Sequence, residues 1–294
     1  SYFSGSLGSE YNYFTIKLIN VETVQFNDES LTLDTTLAGI VKWGTSASEN
    51  LIGTNEDDLF DSAGGDDYVD GKAGNDTLTI FSYKDIFEIF TVAGITKLFT
   101  NTATNLGIDH NWGVIRLINT ESIIFIDETI DISTELTSPY IIWGTRASEN
   151  LTGTNEDNVF DSYGGDDTIV GKAGSNTLAI FSARDNFEIL TIAGITKILG
   201  NKSTDFLISN DYNDGLITMM QVGNVTFSDQ SITLDTTFPE GIELVNWGTS
   251  GSENLIGNSQ NEIFDSRGGS DYINGKGGDD LLLLFSNYAN FEVK

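Results

Sequence analysis

Large apolar residues return every nine positions in three stretches of the chain: Leu51, Phe60, Val69 and Leu78, then Leu151, Phe160, Ile169 and Leu178, then Leu255, Phe264, Ile273 and Leu282. Runs of Gly, Asp, Asn and Ser fill the gaps between them. A helix buries a face only if apolar residues recur every three or four positions, so these stretches are not helical. The spacing instead predicts short strands, each delivering one apolar side chain inward, joined by turns in which glycine takes a positive φ. Successive turns fall on alternate edges, so two blocks complete one coil and turns 18 residues apart stack on the same edge.

The stretches between these blocks also read as strands. Phe87–Val92 and its copy Phe187–Ile192 alternate roughly with period two, Ala93-Gly94 and Ala193-Gly194 supply turns, and Thr96-Lys97-Leu98 and Thr196-Lys197-Ile198 follow. A last strand pair spans 22–26 and 31–33 with a turn at Asn27-Asp28, and recurs at 121–132 and near 225–234. No segment keeps a helical period beyond a single turn. The expectation is an all-β parallel solenoid, with the flanking strands continuing the same coil.

The whole pattern repeats. Trp43-Gly44-Thr45 leads through Ser48-Glu49-Asn50 to Leu51, and returns from Trp143 to Leu151 and again from Trp247 to Leu255, a period of about 100 residues. Residues 16–20 are echoed by 115–119. The expected organisation is a partial repeat at 1–43, repeat units at 44–143 and 144–247, and a partial repeat at 248–294. Because Ser1 aligns with about Thr100 and Lys294 with about Phe90, both ends fall inside a repeat. Repeat arrays usually end in polar capping units. The expectation is therefore a window of a longer tandem array, or copies that join end to end.

Composition narrows the function. The 44 acidic and 14 basic residues give a net charge of -30, which repels nucleic-acid phosphates and anionic membrane surfaces. No apolar stretch is long enough for membrane insertion as a helix. The absence of cysteine excludes disulfides and thiolate metal sites, and a lone His110 leaves little for zinc chemistry or a serine triad. With 39% hydrophobic residues, the chain can still bury a core.

The acids themselves are ordered. The sixth position of each block holds Glu49, Asp58, Asp67 and Asp76, then Glu149, Asn158, Asp167 and Asn176, then Glu253, Glu262, Asp271 and Asp280. Stacking puts Glu49 near Asp67 on one edge and Asp58 near Asp76 on the other, an arrangement that is costly without a cation between the turns. Carboxylates with turn carbonyls are hard oxygen donors and suit Ca2+ better than a soft metal.

The blocks at 44–79, 144–179 and 248–283 follow G-G-x-G-x-D-x-U-x and resemble the calcium-binding RTX (haemolysin-type) repeat family. The resemblance implies a parallel β-roll with Ca2+ along its edges, about two or three ions per roll. It implies ligation by the sixth-position side chains, completed by turn carbonyls such as those of Gly71, Ala73, Gly171, Ala173, Gly275 and Gly277. It also implies export from a bacterium by type I secretion, hence an extracellular or cell-surface location. There are departures. Glu49, Glu149 and Glu253 are expected to cap the roll, Asn158 and Asn176 to leave a weak or vacant site, and Glu262 to crowd its turn. The fifth-position acids Asp57, Asp66, Asp157, Asp166 and Asp279 are expected to be solvated.

Other residues invite other readings. Trp43, Trp143 and Trp247 are expected to pack at the seam before each roll rather than bind sugar rings. Pairs such as Asp57-Asp58 recur in every unit, unlike a glycosidase dyad, which occurs once. His110 has no counterpart near Asn210 and is expected in a loop. Tyr68 and Tyr272 are expected to point outward. Lys72, Lys172 and Lys276 recur as a row that either meets an anionic glycan or neutralises neighbouring turns.

Two functions follow. One is a calcium-stiffened structural repeat of a surface layer, filament, matrix or adhesin stalk that folds on Ca2+ binding after secretion and associates with its own kind. The other is an accessory module of a secreted enzyme, with a polysaccharide as its candidate ligand. Neither reading gives this chain catalytic residues of its own.

Overall fold

The computed structural model describes residues 18, 21–33, 40–100, 113–132, 140–200, 215–287 and 290. Those residues form strands joined by turns, with single 3-10 turns at Lys84–Ile86 and Arg184–Asn186. Two compact units emerge, Ser1–Leu136 and Thr137–Lys294. The strand Tyr140–Trp143 pairs in parallel with Asn158–Asp161, so it belongs with the roll that follows it. The structural seam therefore lies a few residues before the 143/144 boundary that the repeat alignment suggests.

In the first unit the nonapeptide strands split between two sheets, as alternation of the turns requires. Asn50–Ile52 pairs in parallel with Tyr68–Asp70 in one, and Ile40–Trp43, Asp58–Asp61 and Thr77–Thr79 pair in parallel in the other. The eighth-position side chains meet between them: Phe60, Val69 and Leu78 are each 0% exposed. Burying such a side chain contributes about 1.5–3 kcal/mol, less than the cost of ordering a nine-residue block, so the flanking strands that complete each core are part of what holds the coil. The second unit repeats this with Phe160, Ile169 and Leu178 buried in one cluster.

The flanks continue the coil for one strand on each face, with Ile115–Ile118 parallel to Tyr68–Asp70 and Ser122–Ile124 parallel to Thr77–Thr79. Beyond that point the direction reverses. Phe87–Val92, Ile95–Thr100 and Ile115–Ile118 are antiparallel, as are Ser122–Ile124 and Thr129–Asp131. The turns Ala93-Gly94 and Ala193-Gly194, with positive φ throughout, are too tight for a crossover and force hairpins.

One eighth-position residue departs from the pattern. Leu282 is 43% exposed, although it pairs with the buried Phe264. Leu78 and Leu178 are covered by Ser122–Ile124 and Asn224–Thr226, whereas no described strand pairs beyond Leu281–Leu282.

Candidate metal centre

The nonapeptide turns are shaped by their backbone before their side chains matter. In the third and fourth block of each roll the second position takes a positive φ although it is not glycine, at Ala63, Lys72, Tyr163, Lys172, Arg267 and Lys276. The turn then wraps back so that its sixth-position side chain faces the stacked turn on the same edge.

Two hydrogen-bond ladders run along every edge. In the first, the N–H of a sixth-position residue donates to the sixth-position side chain 18 residues on: Glu49 to Asp67 Oδ1 at 2.9 Å, Asp58 to Asp76 Oδ1 at 2.7 Å and Glu149 to Asp167 Oδ1 at 2.9 Å. Glu253 to Asp271 and Glu262 to Asp280 repeat it at 2.9 and 3.1 Å. The second ladder uses the fifth position in the opposite sense. The side chain accepts from the next turn: Asp57 Oδ1 from the Asn75 N–H at 2.8 Å and Asp157 Oδ1 from the Ser175 N–H at 2.6 Å.

Asp57, Asp157, Asp66 and Asp166 are thus structural acceptors, more than the solvated residues expected, whereas Asp279 stays exposed. Asp66 and Asp166 reach further still, to the N–H of Val114 at 2.8 Å and of Leu216 at 2.7 Å, tying roll to flanking coil. Asp279 donates its N–H to Asn261 Oδ1 at 2.8 Å. Sequence spacing pointed to none of the long-range pairs, because the hairpin inserts break the 18-residue rule.

At Asp67, Asp76 and Asp167 the ladder consumes one carboxylate oxygen and leaves the other. Asp58 Oδ1 and Asp76 Oδ2 are buried with no hydrogen-bond partner, and the residues are 2% and 0% exposed. Asp58 Oδ2 is already used by the Thr54 N–H at 2.6 Å and the Thr54 hydroxyl at 2.8 Å. On the other edge Asp67 Oδ2 and Asp167 Oδ2 make no full hydrogen bond, the Ser62 and Ser162 hydroxyls being the polar groups that face them.

Burial pushes the Asp67 and Asp167 carboxyls up to about 7, and the charges of Glu49 with Asp66 and of Glu149 with Asp166 add to it. Ladder N–H bonds partly offset that rise. Asp76 is raised to about 6 by burial, and further by Glu121, Asp58 and Asp57. A carboxylate left this way is unfavourable unless a cation sits against it.

The donors fit Ca2+. They are all oxygens, and carbonyls converge with them. A Cβ on Gly53 would collide with the Gly71 carbonyl oxygen, and one on Gly153 would crowd that of Gly171 at 2.5 Å. The Gly275 carbonyl faces Gly257 in the same way, at 2.7 Å. Ala73 and Gly277 donate their N–H groups across to the Thr54 and Asn258 carbonyls, at 3.3 and 3.1 Å. Among the described residues no three acidic or histidine side chains form a metal cluster by themselves, so backbone carbonyls have to complete any shell. The holding residues would be Asp58 with Asp76 on one edge, and Asp67 or Asp167 on the other. The ion would supply the positive charge that lets stacked turns approach.

The remaining sixth positions are placed differently. Glu49, Glu149 and Glu253 close their own turns, each accepting from the N–H and hydroxyl of Thr45, Thr145 or Thr249. Glu262 is 0% exposed and fully served by amides: Asn258 N–H at 2.8 Å, Asn258 Nδ2 at 2.8 Å and Asn246 Nδ2 at 3.1 Å. Asn158 Nδ2 donates to Asn176 Oδ1 at 2.9 Å, and Asn176 Nδ2 to the Gln221 and Ala173 carbonyls at 3.0 and 3.1 Å. That edge needs no cation. Asp271 is half-buried and Asp280 exposed.

Among the other candidates, Lys72 Nζ lies 2.6 Å from Asp70 Oδ2, so it neutralises its own turn. Val170 and Asn274 replace Asp70 beside Lys172 and Lys276. Trp247 packs against the Arg267 guanidinium, 5.0 Å from the ring centre, and joins an apolar cluster with Ile263 and Leu283. Trp43 is 39% exposed. Tyr272 is 57% exposed, whereas Tyr68 is half-buried. His110 lies outside the described residues.

Stacked parallel strands with oxygen-lined turns at both edges define a metal-binding β-roll. Residues 43–78, 143–178 and 247–282 match the family model described as RTX calcium-binding nonapeptide repeat (4 copies), and these three segments are RTX calcium-binding repeats. No curated protein matches the chain. Among solved structures, the chain is similar to the crystal structure of extracellular lipase LipA from Serratia marcescens, at 11% identity and a TM-score of 0.19. That match covers 69% of this chain and 40% of the lipase chain. No helix among the described residues is long and apolar enough to cross a membrane.

Proposed function

We propose that this protein is an extracellular, calcium-stabilised structural repeat that folds and stiffens when it meets Ca2+ after type I secretion from a bacterium. Its place is a surface layer, filament, matrix or adhesin stalk, and its partner is a further copy or a neighbouring repeat. The buried, unpartnered oxygens of Asp58 and Asp76 support this most directly. At the low calcium of a cytosol those carboxylates and a net charge of -30 oppose compaction. Outside, metal binding and folding proceed together.

The described residues carry repeated roll and hairpin rather than a site that occurs once, which supports a role without catalysis. The accessory-module reading draws on the family alone. Its glycan-binding form gains nothing from Lys72, which is engaged with Asp70.

The test is circular dichroism and electron microscopy of the purified chain, first with calcium and then with excess chelator. β-Structure and regular assemblies that are both lost on chelation are expected. Unchanged β-content and melting temperature in chelator would overturn the calcium mechanism. Separate short rods in calcium would overturn the assembly role and favour an accessory module.

A further inference from the structure

The acidic ladder on the second edge of the first repeat does not stop at the last nonapeptide. The Asp58 N–H donates to Asp76 Oδ1 at 2.7 Å, and the Asp76 N–H donates in turn to Glu121 Oε2 at 2.6 Å. Ser122–Ile124 pairs in parallel with Thr77–Thr79, placing Ile123 opposite Leu78. Glu121 therefore holds, against the turn at 71–76, the position that Asp76 holds against the turn at 53–58. The two acids are 45 residues apart in sequence. Glu121-Ser122-Ile123 nevertheless repeats the acid–x–apolar order of Asp76-Thr77-Leu78.

Between these turns, oxygens converge. Asp76 is 0% exposed and its Oδ2 has no hydrogen-bond partner. A Cβ on Gly71 would collide both with Asp76 Oδ2 and with the carbonyl oxygen of Asn119. Those two atoms thus border one small space in front of Gly71, with the Glu121 carboxylate bonded to the adjacent N–H.

The second repeat is the natural control. Asn176 stands for Asp76, Gln221 for Asn119 and Gly223 for Glu121. A Cβ on Gly171 would likewise strike the Gln221 carbonyl oxygen, and would lie 2.7 Å from Asn176 Nδ2. There Asn176 Nδ2 donates to that carbonyl at 3.0 Å. The same pocket of oxygens is met by an N–H donor, and both acids are gone. Where the donor is replaced by a carboxylate oxygen and a second acid is added, a cation satisfies the ionised group as the amide does.

We propose that the first repeat holds a calcium site where its last nonapeptide meets the flanking coil, formed by Asp76, Glu121 and the Asn119 carbonyl, and that the second repeat has exchanged this ion for the Asn176 amide. The proposal rests on the reading of the protein as a calcium-binding roll and adds a site which the nonapeptide pattern does not contain. Its consequence is unequal repeats. In the first, calcium ties the roll to the flanking strand Ser122–Ile124. In the second, that junction is closed at any calcium concentration.

The test is native mass spectrometry and calorimetric titration of the full chain with calcium, comparing the wild type with Glu121→Gln and with the double variant Asn176→Asp/Gly223→Glu. Glutamine keeps an oxygen acceptor for the Asp76 N–H while removing the charge. The expected result is one ion fewer, or one ion bound at least tenfold more weakly, in Glu121→Gln, and one ion more in the double variant. Unchanged stoichiometry and affinities in Glu121→Gln overturn the proposal. If that variant fails to fold by circular dichroism, the double variant decides, and no additional ion there overturns it. A wild-type chain that binds no calcium at all overturns the broader functional reading instead.

Discussion

Lys197 Nζ lies 2.9 Å from Asp265 Oδ1, with the two side chains only 11% and 2% exposed. The pair joins a flanking hairpin strand of one repeat, Ile195–Gly200, to the last residue of the strand Asn261–Asp265 in the next roll. The ammonium also sits 4.3 Å from the centre of the Phe285 ring. Calcium is not needed here, because a protein cation already faces the buried acid.

Removing one partner of a buried pair leaves a charge without compensation, at a cost of about 3–5 kcal/mol. Lys197→Met should therefore lower the unfolding free energy of the full chain at saturating calcium, by roughly that amount at most because the Arg267 guanidinium also acts on Asp265. Adding Asp265→Asn should recover most of the loss, since the amide oxygen still accepts the Arg267 N–H. A single variant as stable as the wild type in urea titration would mean that the pair contributes nothing net.

The asparagine ladder of the second repeat suggests a transplant. Asp58→Asn with Asp76→Asn should let the first repeat close its edge as Asn158 and Asn176 do, by amide-to-carbonyl bonds. Each buried unsatisfied group costs about 1–3 kcal/mol, so the metal-free melting temperature should rise while the increment on adding calcium shrinks. Thermal scans with and without calcium check both halves. A variant that loses the calcium increment but gains no metal-free stability would show that the amide geometry does not transfer.

Much of this architecture is legible from spacing alone, and the misses share a cause. Phe60, Val69 and Leu78 are buried as the nine-residue period requires, and Asp58 and Asp76 stack as an 18-residue coil requires. Both are local rules. Glu121 reaches Asp76 over 45 residues and Lys197 reaches Asp265 over 68, after hairpins of irregular length, so no fixed spacing marks them. The signal available for Glu121 was its acid–x–apolar tripeptide. Reversal of the flanking strands was signalled by Ala93-Gly94, too short a link for a parallel crossover. Leu282 obeys the period but lacks a covering strand, and coverage is a tertiary property.

Acidity should act in opposite directions on the two states of the protein. In the metal-free fold, burial raises Asp67 and Asp167 from 3.8 to about 7, and Asp76 from 3.8 to about 6. A group whose folded pKa is raised adds stability that is full below its unfolded value and is lost as pH climbs through the folded one. Calcium-stripped protein should thus melt at higher temperature near pH 4 than near pH 7. Calcium affinity should run the other way and weaken below about pH 6, because the ion competes with protons for the same oxygens. Asp67→Asn and Asp167→Asn should flatten the metal-free profile. A slope unchanged in those variants would assign the effect to the chain's overall charge instead.

Lys172 tests the backbone of the turn without touching its acids. It sits at φ 64, in the left-handed region that costs a side-chain-bearing residue roughly 1 kcal/mol or more. Its N–H donates to Gln221 Oε1 at 3.1 Å, a bond that glycine keeps. Lys172→Gly should therefore stabilise the second roll by about 1 kcal/mol, equally with and without calcium, as the strain belongs to the turn and not to the ion. Lys72→Gly relieves the same strain at φ 78 but forfeits the ion pair with Asp70, so its gain should be smaller. Melting temperatures of the two variants, each with calcium and with chelator, separate the terms. Destabilisation by Lys172→Gly would mean that the lysine side chain has a role in the roll beyond adopting the bend.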